Sequence, residues 1–187
     1  MRKFIAASAL SVLTVGAFVI PAGAAAPVNA TGSVSCTGVS GSSKFAPSLV
    51  LGGSGIPGNV NSKGAYSSCT GAGISTGSGK GNAHLANNDC LSLAGPSIDL
   101  TEVVKWKGSA KVNASTIHWT GLTTDLTKAT LQTTLTGTVT SGSFTGALAT
   151  EVQVAPAGQD VTYFATACGS AKGLKGYTTV SGSLSIG

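Results

Sequence analysis

The sequence is poor in charge and in rings. Only 9% of its 187 residues are charged and 5% are aromatic. It holds one Met, two His and a single arginine, Arg2. So little charge excludes a coiled coil or a helical bundle, which need Ala, Glu, Lys, Leu and Arg at helical spacing. A solvated disordered chain is excluded as well, because 42% of the residues are hydrophobic and the net charge is low. After Ile20 no apolar run is long enough to span a bilayer as a helix.

What is abundant is Gly, Ser and Thr, which make up about 40% of the chain. The N-terminus stands apart from that composition. Arg2 and Lys3 precede an apolar run, Phe4 to Ile20, and Pro21-Ala22-Gly23-Ala24-Ala25-Ala26 follows. This order reads as a secretory signal peptide over residues 1–26, cleaved between residues 24 and 30. Residues 31–187 then form one β-domain. Removing the signal removes the only Met and Arg and leaves a formal charge of about +3 rather than +5. That is too weak for a nucleic-acid footprint, so no nucleic-acid partner is expected. The mature chain is expected in the medium or the cell envelope.

Cys36, Cys69, Cys90 and Cys168 all follow the signal, and four cysteines in an oxidising compartment read as two disulfides. Three connectivities are possible. The matching segments Ser35-Cys36-Thr37-Gly38 and Ser68-Cys69-Thr70-Gly71 suit a cross-strand bridge, which favours Cys36–Cys69 and Cys90–Cys168. Zinc is excluded, since no two cysteines have ligand spacing and neither histidine is near one. No metal or other cofactor is expected.

Alternation of period two runs through the mature chain. Over Thr130–Val154, Leu131, Leu135 and Val139 oppose a row of threonines. Ser141-Gly142-Ser143 then turns the chain, and Phe144, Leu148, Val152 and Val154 face away from Thr145, Glu151 and Gln153. This predicts a long hairpin with one buried face. Ile98, Leu100, Val104 and Trp106 share a face that Glu102 interrupts, so Glu102 is at an edge or paired. Ile117 and Trp119 oppose His118. Thr178, Val180, Leu184 and Ile186 form a C-terminal strand, and Val161–Cys168, Val34–Gly38 and Phe45–Leu51 are shorter candidates, the last limited by Pro47. Gly52–Gly64 reads as a surface loop. No amphipathic helix is evident. The expected fold is all-β, an antiparallel sandwich or barrel of about 8–10 strands braced by two disulfides.

Chemistry-bearing motifs are few. Gly71, Gly73, Gly77, Gly79 and Gly81 share a parity, which makes either a bare strand face open to a ring or a flexible loop. Gly79-Lys80 fails the phosphate-loop pattern on both sides. No G-x-S-x-G elbow is present, and His84 and His118 have no evident catalytic partners. The six acids, Asp89, Asp99, Glu102, Asp125, Glu151 and Asp160, are scattered singly, and burial of Glu102 would raise its pKa. Catalytic residues are therefore not assigned, and the protein is not expected to be an enzyme.

The S-C-T-G pair, the segment Gly137-Thr138-Val139-Thr140-Ser141-Gly142-Ser143-Phe144-Thr145-Gly146 and the ending Val180-Ser181-Gly182-Ser183-Leu184-Ser185-Ile186-Gly187 resemble a known group. They are similar to small exported Gly/Thr-rich all-β proteins of actinobacteria with no assigned activity. The resemblance implies an extracellular disulfide-bonded β-domain and supplies no functional residues.

The expected role is that of a non-enzymatic exported domain acting by surface association or ligand binding, with a polysaccharide or envelope component as its partner. One alternative is a carbohydrate-binding module with Trp106 and Trp119 as an exposed platform, although their apolar parity favours the core. Another is a secreted protease inhibitor, for which no reactive loop is marked. A porin would need to oligomerise, because the strands are too few for a wide pore.

Overall fold

The computed structural model describes residues 26–187 apart from Ala94, Pro96 and Leu126. The expected signal peptide thus lies, but for Ala26, outside the described residues. Nine strands form: β1 (Val34–Leu49), β2 (Gly58–Thr70), β3 (Ile74–Leu85), β4 (Ser97–Gly108), β5 (Ser115–Asp125), β6 (Gln132–Gly142), β7 (Leu148–Val154), β8 (Leu174–Thr179) and β9 (Ser181–Ile186). Consecutive strands from β1 to β7 pair antiparallel; β7 pairs with β9, and β9 with the start of β1. The result is a closed eight-stranded antiparallel barrel. β8 is the extra strand, paired with the second half of β1. The two expected disulfides are present, Cys36–Cys69 and Cys90–Cys168.

Closure explains how a chain so rich in Thr and Ser folds. Alternation sends one parity into the barrel and the other to solvent. On β4, Leu100, Glu102, Val104 and Trp106 are buried while Thr101, Val103, Lys105 and Lys107 are exposed. Asn59, Asn61 and Lys63 of β2, and Thr136, Thr138 and Thr140 of β6, also face out. Polar outer and apolar inner faces reverse the pattern of a membrane barrel, whose outer wall carries an apolar band. Among the described residues, no helix is long and apolar enough to cross a membrane.

Of the five glycines that share a parity, Gly77, Gly79 and Gly81 form a bare face of β3, while Gly71 and Gly73 lie in the turn before it at φ 110° and 70°. A Cβ on Gly77 would come within 2.8 Å of the Trp106 ring, and one on Gly79 would collide with the Glu102 carboxylate. Their missing side chains make the space those groups fill.

Several local expectations are corrected. Val161–Gly169 is a helix, α1, not a strand, started by the Asp160 carboxylate accepting from the Tyr163 N–H at 2.9 Å. Val34–Gly38 and Phe45–Leu49 belong to one strand, with Pro47 near its end. Gly58–Gly64 is strand rather than loop, because β2 begins at Gly58. The C-terminal strand breaks at exposed Val180, so Thr179 points in while Leu184 and Ile186 stay inside. The hairpin of β6 and β7 forms, but its second strand has the opposite facing. Ala149 and Glu151 are buried and Leu148 is exposed. Inside this barrel Glu151 has hydrogen-bond partners, so an acid takes the inward place.

The two ends of the barrel differ. At one end Phe144, buried despite a left-handed backbone (φ 63°), packs edge-on against Trp106 with ring centroids 6.1 Å apart. Its N–H donates to the carbonyl of Ala30 at 2.7 Å, which draws the N-terminal segment across this end. The Cys36–Cys69 bridge joins directly opposed residues of β1 and β2 here. The other end is covered by α1 and by a turn of 3-10 helix, Cys90–Leu93, which the Cys90–Cys168 bridge ties together.

Candidate functional site

Beneath the capped end lies a cavity of about 950 Å³. Its walls are mainly aliphatic and aromatic, from Val60, Leu100, Leu122, Leu135, Phe45 and Phe164. Leu85, Leu91 and Leu93 stand toward the cap. Leu51 and Leu91, at 66% and 62% exposure, continue this apolar lining out to the surface.

The floor is polar. The Tyr66 hydroxyl lies 2.7 Å from Glu102 Oε1 and 3.0 Å from Glu151 Oε2. Trp119 Nε1 donates to Glu102 Oε2 at 2.9 Å, and Gln153 Nε2 donates to Glu151 Oε1 at 2.6 Å. Tyr177 and Thr179 hydroxyls then donate to Gln153 Oε1, both at 3.3 Å. β2, β4, β5 and β7 thus converge on one carboxyl pair. Gly64 and Gly79 leave room for it: a Cβ on Gly64 would sit 3.0 Å from the Tyr66 hydroxyl.

Proton counting fixes the state of this pair. One phenol carries one hydrogen but faces two carboxyls. Each acid has one N–H donor of its own, Trp119 for Glu102 and Gln153 for Glu151, and the shorter Tyr66 contact, 2.7 Å against 3.0 Å, assigns the ionised form to Glu102. Glu151 then carries a proton and donates it to the Tyr66 oxygen. Burial first, and the neighbouring Glu102 second, push Glu151 up to about 8. Burial also raises Glu102, against the lowering effect of its two hydrogen bonds. Tyr66 is raised by burial and by both acids. Among the described residues no Lys or Arg reaches this interior, so the pair has no counter-cation.

The other sequence candidates fall elsewhere. Trp106 and Trp119, 8% and 0% exposed, belong to the interior and form no exposed platform. Trp106 Nε1 is tied to the Ser115 hydroxyl at 2.8 Å. His118 meets Asp99 at 2.8 Å on the outer wall, and His84 meets Asn59 at 3.3 Å. Among the described residues no serine joins either ring, so no Ser-His-Asp triad assembles. Gly79-Lys80 lies within a strand rather than at a helix start, so it cradles no phosphate. No group of three or more metal-ligating side chains occurs among the described residues.

Sequence reasoning marked Glu102 as anomalous but missed its partners. Alternation puts Glu151 on the wrong face of its strand, Tyr66 is read only as a companion of an exposed tryptophan platform, and Gln153 is not singled out as a site residue. The available signal was a lone acid within an apolar parity, facing a strand of bare glycines.

Fold and cavity together define a small closed antiparallel barrel with an acid-floored internal cavity. Compared with known proteins, the chain matches no family model, no curated protein and no solved structure.

Proposed function

We propose that this protein is an exported, non-enzymatic β-barrel that binds a small, largely apolar molecule in its internal cavity. The observation that carries this reading is the cavity itself, about 950 Å³ with mainly apolar walls and a few convergent polar groups at its floor. A barrel of eight strands has just the girth to hold one small ligand. The signal-like N-terminus and the two disulfides support a place in the medium or the envelope. Ligand binding is favoured over carbohydrate recognition because neither tryptophan lines the cavity and the walls offer few groups for sugar hydroxyls.

The test is titration with an environment-sensitive naphthalene dye, wild type against Leu135→Trp and Leu85→Trp. The first substitution fills the middle of the cavity and the second its mouth. Saturable one-to-one binding that both variants lose, with unchanged far-UV circular dichroism, is the expected result. Equal binding by the folded variants, or none by the wild type, overturns the reading.

A further inference from the structure

We propose that the ligand class is a cationic amphiphile, an alkyl chain whose protonated amine head seats on the floor between Glu102 and Glu151. This rests on the reading of the cavity as a ligand site and assigns its chemistry.

Three observations converge. The first is charge. The floor holds two carboxyls, and no basic side chain among the described residues shares the interior with them. His84, His118, Lys63 and Asp99 edge the cavity from strand positions whose side chains point outward. A buried carboxylate without a counter-ion is costly, and a bound cation removes that cost.

The second is spare acceptor capacity just above the floor. A carboxylate has about four acceptor sites, and Glu102 uses two. Thr133, 7% exposed, lines the cavity. It pairs with Gln153, two residues beyond Glu151 toward the cap. On the facing wall the buried hydroxyl of Ser62 is also unpartnered, two residues from Gly64. An unpartnered hydroxyl and a threonine thus stand one step above two acids. An ammonium group brings three donors and no acceptor, which suits such a set.

The third is the route. The walls above the hydroxyls are aliphatic to the mouth, and exposed Leu51 and Leu91 extend them outside. An alkyl tail fits those walls and an amine fits the floor. A carboxylate head would meet two acids, and a neutral head would leave the charge unpaired.

The experiment compares decylamine, decanol and decanoate, which share one chain and differ only in the head. Binding is followed by calorimetry and by the emission of Trp119, whose indole N–H is bonded to Glu102. Decylamine is expected to bind at least about tenfold tighter than decanol, with decanoate weakest. Glu102→Gln is expected to bring decylamine to the level of decanol, with an unchanged far-UV circular dichroism spectrum showing that the variant is folded. Should Glu102→Gln fail to fold, the head-group comparison in the wild type decides alone. If decanol binds the wild type and decylamine binds no better, the amine assignment is overturned and the cavity reading stands. A preference for decylamine that survives Glu102→Gln overturns it too. If none of the three binds, the cavity reading has failed and takes this inference with it.

Discussion

The closed end and the capped end of the barrel are built from the same strands but are finished in opposite ways. At the closed end every polar handle is tied off: Trp106 Nε1 donates to the Ser115 hydroxyl, which donates to the carbonyl of Ser143 at 2.8 Å. Large rings fill the space, and a bare glycine faces the largest. At the capped end apolar side chains line a hollow, the buried hydroxyl of Ser62 has no partner, and among the described residues no basic side chain joins the two acids. A barrel interior can be completed with side chains or left for a ligand. This one does both, with Tyr66, Glu102, Glu151 and Trp119 as the partition.

If the ends divide stability from binding, truncation should discriminate between them. Trp106→Ala is expected to cost about 3–5 kcal/mol, because Gly77 opposite offers nothing to fill the void. Leu135→Ala, which only widens an existing hollow, should fall near the low limit for such changes, about 2 kcal/mol. Urea unfolding measures both. Equal costs, or the reverse order, would break the division.

The disulfides allow a second comparison, on rates. Cys90→Ser with Cys168→Ser removes a link spanning 78 residues and is expected to cost about 2–4 kcal/mol. It should also free the cap, so that a bound dye leaves faster in stopped-flow measurements. Cys36→Ser with Cys69→Ser should cost a similar amount and leave the off-rate unchanged, since that bridge lies at the far end. Unequal off-rates sharpen the contrast, and equal ones remove the cap's role.

The two ends were also unequally legible in the sequence. At the closed end the pattern is carried by apolar parity, so Ile117, Trp119, Leu184 and Ile186 point as alternation requires. The shared S-C-T-G segments likewise mark Cys36 and Cys69 as strand partners. At the capped end the inward residue is often polar, and alternation misleads. Glu151 and Gln153 were placed outside because their neighbours Val152 and Val154 are the hydrophobic ones. The identity of the inward face was set by partners on β2 and β4, distant in sequence, which no local period contains. Helix α1 was missed for a similar reason: Val161, Tyr163 and Phe164 have strand-like propensity, and only the Asp160 cap signals a helix. Closure of the barrel, rather than a sandwich, depends on β9 reaching β1, a pairing across nearly the whole chain.

The last expected effect concerns the partition itself. Glu151 titrates near 8 in the folded protein against an ordinary value of 4.5, so the native state holds a proton that the unfolded chain releases. Its contribution to stability is complete below pH 4.5, declines as pH rises between the two values and is lost above about 8. The melting temperature should therefore fall across that interval. Glu151→Gln replaces the protonated acid with a neutral group of the same shape. The amide oxygen can still accept from Gln153 Nε2, and the amide nitrogen can donate to the Tyr66 oxygen while Tyr66 donates to Glu102. The variant should match the wild type at pH 5, be more stable at pH 9 by on the order of 1 kcal/mol or more, and show a flatter melting profile between them. A wild-type profile that rises over this range would mean that the folded pair holds no proton. A fall that Glu151→Gln leaves undiminished would reassign the proton to Glu102.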